Sequence, residues 1–133
     1  MKCRFDPIAD KCGQIVDFIM NTPEVSALGE SQQFKIRLCS EEAVENVVRY
    51  AYEAGAGYLE VGTEMEGNKI VVTLKDSGVP FNPLDTPDPD ITLSAEDRRI
   101  GGLGIFLCKK LMDEIYYSFV RGSNNLTMKL TVS

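Results

Sequence analysis

A strand-turn-strand pattern lies at the centre of the chain. Apolar or small side chains recur at every second position on both sides of Gly67-Asn68, a dipeptide that favours a tight turn. The recurring positions are Leu59, Val61, Thr63, Met65, Ile70, Val72 and Leu74. This alternation predicts a β-hairpin with one apolar face.

Helical patterns flank this hairpin. Residues 6–7 open one helix, which ends at 21–23, and a longer helix covers about 31–52 before the glycines of 55–57. A third helix carries apolar residues at spacings of three and four, namely Ile105, Cys108, Leu111, Met112 and Ile115. Short strands are expected at 1–5, 115–121 and 126–132, the last two around a turn at 122–125. This order predicts one α+β domain over 1–133, a two-layer sandwich whose mixed, mostly antiparallel sheet is covered on one face by helices.

Composition excludes several kinds of function. The 133 residues include 14 basic and 20 acidic ones, and the basic residues are scattered, which argues against nucleic-acid binding. The chain has no histidine, so histidine triads, histidine metal sites and phosphohistidine relays are excluded. Its four cysteines form no C-x-x-C pair and are interpreted as reduced packing residues. No signal peptide or membrane-length apolar run is present, so we expect a cytoplasmic protein without a membrane partner.

A glycine cluster precedes the third helix. Gly101, Gly102 and Gly104 allow close approach of the backbone, and the first N–H groups of a helix favour a phosphate. The cluster therefore predicts an anion site. The alternative is a helix start that needs glycines only to turn sharply.

Asp76 continues the inward alternation of the second hairpin strand. The residues after it, Ser77-Gly78-Val79-Pro80, break the strand, so the carboxylate stands at the strand end, where a ligand N–H group could reach it. The exocyclic amine of adenine is such a donor. The alternative is an aspartate that caps the turn through its own backbone.

Glu42 and Asn46 lie one helical turn apart on the same side of the long helix. A carboxylate and an amide oxygen at this spacing could orient a hydroxyl or a water and hold Mg²⁺ beside phosphates. The alternative is a solvated polar edge of the helix. Residues 79–99 contain four prolines without a regular period and are predicted to form a long loop.

Three segments together resemble the N, G1 and G2 boxes of an ATPase superfamily. They are EAVEN at 42–46, DSGVPFNP at 76–83 and GGLGI at 101–105. That superfamily, with the Bergerat ATP-binding fold, is shared by gyrase, the ninety-kilodalton heat-shock chaperone, MutL and histidine kinases. The chain is most similar to the bacterial anti-sigma-factor serine/threonine kinases. Pro80, in place of a second glycine of the G1 box, also resembles the serine-kinase branch.

The resemblance implies a role for each matching residue. Glu42 would be the catalytic base, Asn46 would bind Mg²⁺, Asp76 would bind the adenine amine and Gly78 would leave room beside it. Residues that would bind the phosphates through their backbone are Gly102, Leu103 and Gly104. The loop at about 79–100 would be the ATP lid, with Arg98 or Arg99 near the γ-phosphate, and Thr127 would be a pocket threonine on the last strand.

The same resemblance implies a function. The chain would use ATP and Mg²⁺ to phosphorylate a small anti-anti-sigma (STAS-type) protein, and would also bind a sigma factor and form a homodimer. The alternative is a nucleotide-dependent regulatory module that binds a partner without kinase activity. A structural domain that binds no nucleotide is a third interpretation. The sequence contains neither a histidine-bearing dimerisation helix nor a transducer domain.

Overall fold

The computed structural model describes residues 1–5, 11–53, 57–78, 80–85 and 100–132. The helices in these ranges are α1 (Cys12–Met20), α2 (Pro23–Ser26), α3 (Glu30–Glu53) and α4 (Ile100–Leu111). The strands are β1 (Lys2–Phe5), β2 (Leu59–Glu66), β3 (Lys69–Asp76), β4 (Glu114–Val120) and β5 (Ser123–Thr131). A short 3₁₀ turn covers Pro83–Asp85.

The five strands form one sheet in the order β1-β2-β3-β5-β4. All four pairings are antiparallel, so the sheet contains no parallel pair among the described strands. Helices α1 and α3 pack on each other, and α3 also packs on β3 and α4. The predicted α+β sandwich with helices on one face is confirmed.

Facing residues of β3 and β5 explain where the core ends and the site begins. Three successive pairs on the helix-covered face are apolar and buried, and each such side chain contributes about 1.5–3 kcal/mol of transfer free energy. The fourth pair is polar. From the turn toward the strand end, the pairs are Ile70 with Leu130, Val72 with Met128, Leu74 with Leu126, and Asp76 with Asn124.

The two hairpin turns differ in how well the sequence predicts them. Gly67, with φ of 63°, forms the expected turn between β2 and β3. Between β4 and β5 the turn uses Arg121 and Gly122, with φ of 54° and 76°, as a two-residue turn of this handedness requires. The turn predicted over residues 122–125 is therefore wrong, and residues 123–125 belong to β5.

The third predicted helix also ends earlier than expected. Helix α4 ends at Leu111, and Ile115 lies on β4 opposite Met128 instead of continuing the helix. The Met112 N–H still donates to the carbonyl of Cys108 at 3.0 Å, but the Asp113 N–H donates to the carbonyl of Lys129 at 2.9 Å, so from Asp113 the chain has joined the sheet.

The first half of the chain matches its prediction closely. Strand β1 lies within residues 1–5, α1 ends at Met20, and the boundaries of α3 fall within one residue of those expected. Helix α2 was not predicted; Pro23 begins it, at a position where a proline costs no hydrogen bond. The predicted helix start at residues 6–7 lies outside the described residues.

Candidate functional site

A cavity of about 30 Å³ lies between α3 and the end of the β3–β5 pair where Asp76 faces Asn124. Its volume suits about two water molecules. The walls are mainly apolar, with a few polar side chains among them. They consist of Ala43, Asn46, Val47, Leu74, Asp76, Phe81, Pro83, Tyr117, Asn124 and Leu126.

Asp76 stands at the sheet side of this cavity and is only 6% exposed. Its Oδ1 accepts the N–H of Gly78 at 2.8 Å and the Nδ2–H of Asn124 at 3.0 Å. Burial raises the pKa of Asp76 above its ordinary value, while these two hydrogen bonds act in the opposite direction. The carboxylate therefore caps its own turn, as the alternative interpretation expected. Both bonds end on Oδ1, which leaves Oδ2 without a donor from the described residues.

Asn124 is a site residue that the sequence did not reveal. It lies opposite Asp76 in the strand register, is 6% exposed and lines the cavity. Because residues 123–125 were assigned to a turn, its position on the strand was missed. The signal was present in the chain: Arg121-Gly122 completes a two-residue turn, and alternation from Leu126 then turns Asn124 inward.

Thr127 does not lie at the cavity. It faces Thr73 across β3 and β5, whereas the buried face carries its neighbours Leu126 and Met128. Successive strand residues point to opposite faces, so Thr127 is on the face away from Asp76. The structure corrects the expectation of a pocket threonine at this position. The residue of β5 that faces Asp76 and lines the cavity is Asn124.

Asn46 enters the cavity from α3, opposite the sheet. Its Nδ2 is buried and has no hydrogen-bond partner in the described part of the chain. A buried amide without a partner is costly, and ordered water or a bound ligand normally satisfies it. Asn46 and Asp76 therefore present unsatisfied polar capacity to the same small space.

Glu42, one turn before Asn46, lies directly over the backbone of α4. A Cβ placed on Gly104 would lie 1.9 Å from Glu42 Oε2 and 2.2 Å from its Cδ. A glycine is therefore what lets the carboxylate reach this position. Close packing of the two helices continues nearby, where the Cys108 thiol lies 4.0 Å from the carbonyl of Cys39 and both cysteines are free and buried.

The glycine cluster lies within the first turns of α4, not before the helix. Helix α4 begins at Ile100, so Gly102 and Leu103 lie in its first turn, and Gly104 begins the second. Of the expected lid, residues 80–85 are described, and the turn over Pro83–Asp85 packs near β4. Residues 79 and 86–99, with Arg98 and Arg99, lie outside the described residues.

A protein-family model matches the sequence over nearly the whole chain. The histidine kinase-like ATPase domain matches residues 8–130. The chain belongs to this family. The three boxes on which the resemblance was based all fall inside the matched region.

Curated relatives of this family member include serine kinases. The serine/threonine-protein kinase BtrW of Bordetella bronchiseptica is 26% identical over 97 residues, which cover 72% of this chain and 68% of BtrW. The serine-protein kinase RsbW of Listeria monocytogenes is 33% identical over 90 residues, covering 62% of this chain and 57% of RsbW. The predicted resemblance to serine kinases of this superfamily is confirmed. The chain spans just over half of the length of RsbW.

Solved structures agree on the fold. The catalytic domain of the histidine kinase ThkA aligns with 99% of this chain and 97% of its own, with a TM-score of 0.55 and 14% identity. The Acinetobacter baumannii histidine kinase AdeS aligns with all of this chain and 68% of its own, with a TM-score of 0.58 and 16% identity. At these identities the likeness concerns the fold alone.

Two further properties of the described residues bear on ligands and surroundings. No group of three or more cysteine, aspartate or glutamate side chains in the described ranges is arranged to hold a metal ion. None of the described helices has both the length and the apolar character needed to cross a membrane.

Proposed function

We propose that this chain is an ATP-dependent serine/threonine protein kinase of the anti-sigma type. It would phosphorylate a small anti-anti-sigma (STAS-type) partner and bind a sigma factor, acting in the cytoplasm as a homodimer. The observation that carries the proposal is the position of Glu42. Its carboxylate lies on the Gly104 backbone, one turn from Asn46, whose unpartnered amide faces the cavity that Asp76 also lines.

The base of the nucleotide is assigned to the cavity at Asp76. A carboxylate oxygen can accept a hydrogen bond from the exocyclic amine of adenine. Guanine presents a carbonyl oxygen at the equivalent place, which the carboxylate would repel. The apolar walls, among them Leu74 and Leu126, suit the faces of a purine ring. Since the cavity holds about two waters, entry of a base requires the wall formed by Phe81 and Pro83 to move outward.

The phosphates are assigned to the space between α3 and the start of α4. Backbone N–H groups in the first turn of a helix lack intrahelical partners and attract anions, so Gly102 and Leu103 are suitably placed. Asn46 would hold Mg²⁺ through its amide oxygen. Its buried Nδ2–H, which has no partner among the described residues, would donate to a phosphate or water oxygen. A bound Mg²⁺ would supply charge neutralisation for the phosphates.

The chemistry is assigned to Glu42. In the proposed reaction a serine hydroxyl of the partner forms a bond to the γ-phosphorus, the bond between that phosphorus and the β,γ-bridging oxygen breaks, and ADP leaves. Glu42 accepts the proton of the hydroxyl. Because such transfer depends mainly on position and charge, the fixed place of the carboxylate against Gly104 is the feature that matters.

The proposal is tested first by nucleotide binding. Isothermal titration with ADP and ATP, with and without Mg²⁺, should give micromolar binding that depends on Mg²⁺ and is lost in Asp76→Asn. Transfer is then measured from γ-labelled ATP to a small anti-anti-sigma protein. If the wild type binds neither nucleotide, the proposed function is wrong. Binding without transfer to any such partner would favour a regulatory module that uses nucleotide without kinase activity.

A further inference from the structure

We propose that Asn124 is the positioning residue of the base site, which orients the Asp76 carboxylate and ties it to the segment that closes the cavity. This inference rests on the proposed nucleotide site. It concerns a residue that acts through others, because its own hydrogen-bonding groups are already used within the protein.

The Asn124 side chain uses both of its polar atoms in hydrogen bonds to described residues. Its Nδ2 donates to Asp76 Oδ1 at 3.0 Å and to the carbonyl oxygen of Gly78 at 3.4 Å. Its Oδ1 accepts the N–H of Phe81 at 3.1 Å and the hydroxyl of Tyr117. Two donors and two acceptors are all that a side-chain amide offers. A fully used, buried amide is therefore a fixed point.

These four bonds connect three parts of the chain. Gly78 follows the end of β3, Phe81 begins the segment that forms the cavity wall, and Tyr117 belongs to the edge strand β4. When a base enters and Phe81 moves, the hydrogen bond from the Phe81 N–H to Asn124 Oδ1 changes, so the displacement acts directly on the Asn124 side chain. Its bonds to Asp76 and Gly78 lie on the sheet side, where the strand register holds them in place.

Asn124 also controls the charge of the site. Burial favours the protonated form of Asp76, and the Asn124 amide stabilises the carboxylate that the adenine amine requires. Among the residues that line the cavity, Asp76 and Tyr117 are the ionisable ones, and the Tyr117 hydroxyl donates to Asn124 rather than to Asp76. Removing the amide should therefore raise the pH below which nucleotide binding is lost.

Three variants separate these effects. Asn124→Ala removes the hydrogen bonds of the side chain, while Asn124→Asp keeps its size and its ability to accept but loses the two N–H donors. Tyr117→Phe removes one hydroxyl and leaves the amide donors intact. Asn125→Ala is the matched control, because this neighbouring amide bonds only locally, to the Ser123 carbonyl, and lies outside the cavity. Far-UV circular dichroism and thermal unfolding check the fold of each variant.

The measurement is the dissociation constant of Mg·ADP from pH 5 to pH 8. We expect binding to Asn124→Ala to be about 10- to 100-fold weaker at pH 8, since bonds to a charged group are lost, and to fail at a higher pH than in the wild type. Asn124→Asp should show the steepest pH dependence. Asn124→Ser, which restores one donor, should recover part of the affinity, and Tyr117→Phe should lose less than the alanine variant.

The outcomes distinguish this inference from the proposed function. If the wild type binds ADP and Asn124→Ala matches Asn125→Ala in affinity and pH profile, the inference is overturned and the nucleotide site stands. If the wild type binds no ADP, the proposed function fails. The inference is then tested separately by carbon-13 NMR titration of the Asp76 carboxyl, which compares its pKa in the wild type and in Asn124→Ala. If Asn124→Ala does not fold, Asn124→Ser and Tyr117→Phe serve as the test instead. If both of these variants bind ADP with the same pH profile as the wild type, the inference is overturned.

Discussion

The two ends of the candidate site are built in different ways. At the sheet end, Asp76 and Asn124 are adjacent members of a strand pair and are held by hydrogen bonds to side chains and backbone. At the helix end, Glu42 reaches its position because Gly104 has no side chain. One end is fixed by groups that are present, and the other depends on a group that is missing.

This contrast indicates how the two ends should respond to mutation. Loss of a bonding partner at the sheet end leaves buried polar groups unsatisfied, so affinity and stability should both change. A side chain added at the helix end meets atoms of the Glu42 side chain rather than backbone, so the carboxylate is displaced while the helix packing is kept. At the helix end the rate of phosphoryl transfer should therefore fall even where the stability of the fold is unchanged.

The largest effect is expected for Glu42→Gln. The amide keeps the shape of the side chain but cannot accept the proton of the attacking hydroxyl, so transfer should fall by about 10²–10⁴-fold while ADP affinity stays unchanged. Single-turnover transfer from γ-labelled ATP and isothermal titration measure the two quantities. Wild-type transfer by the variant would remove Glu42 from the role of base.

Gly104→Ala should have the next largest effect. The new Cβ would lie within 1.9–2.8 Å of three Glu42 side-chain atoms, so the carboxylate must move, and transfer should fall by about 10- to 100-fold. The fold should remain intact, because alanine is favoured over glycine in a helix by up to about 1 kcal/mol. Thermal unfolding and the transfer assay separate the two effects.

Gly13→Ala provides the control for this variant. Gly13 lies in α1, and nothing lies within 4 Å of a Cβ placed there. The substitution should keep or slightly raise the unfolding temperature and leave transfer unchanged. Equal loss of transfer in both variants would mean that the close approach of Glu42 to Gly104 has no special importance.

The sequence predicted which way the site residues point within each element, but not the contact between the two helices. Alternation placed Asp76 on the buried face, and helical periodicity placed Glu42 and Asn46 one turn apart, because both patterns are local and strictly periodic. The contact between Glu42 and Gly104 joins two helices that are distant in sequence. Spacing within either helix carries no information about that distance.

Two of the errors lie in the second hairpin. A run of glycine, serine and asparagines was read as one turn, although two residues with positive φ, Arg121 and Gly122, complete it. Because the turn ends at Gly122, Asn124 belongs to β5. Thr127 lies on the outer face for a separate reason, since its neighbours Leu126 and Met128 both point to the buried face wherever the turn is placed. Arginine at the first of these positions gives little sign of a left-handed conformation, so the turn was hard to locate, whereas alternation counted back from Leu126 already indicated that Asn124 faces inward.

The smallest expected effect concerns the stability of Asp76→Asn without nucleotide. Burial raises the pKa of Asp76 in the folded state above its ordinary value of 3.8, so the wild type loses stability as pH rises through the folded pKa. An amide carries no such cost and still offers an oxygen to Gly78 N–H and to Asn124 Nδ2. At pH 8 the variant should therefore be as stable as the wild type or more so, by no more than about 1–2 kcal/mol. Urea unfolding from pH 4 to pH 8 should show this difference shrinking toward acid, as the wild-type carboxyl becomes protonated. A wild type that is the more stable protein at pH 8 would mean that Asp76 stabilises the sheet end by itself and is not held there at a cost for the sake of a ligand.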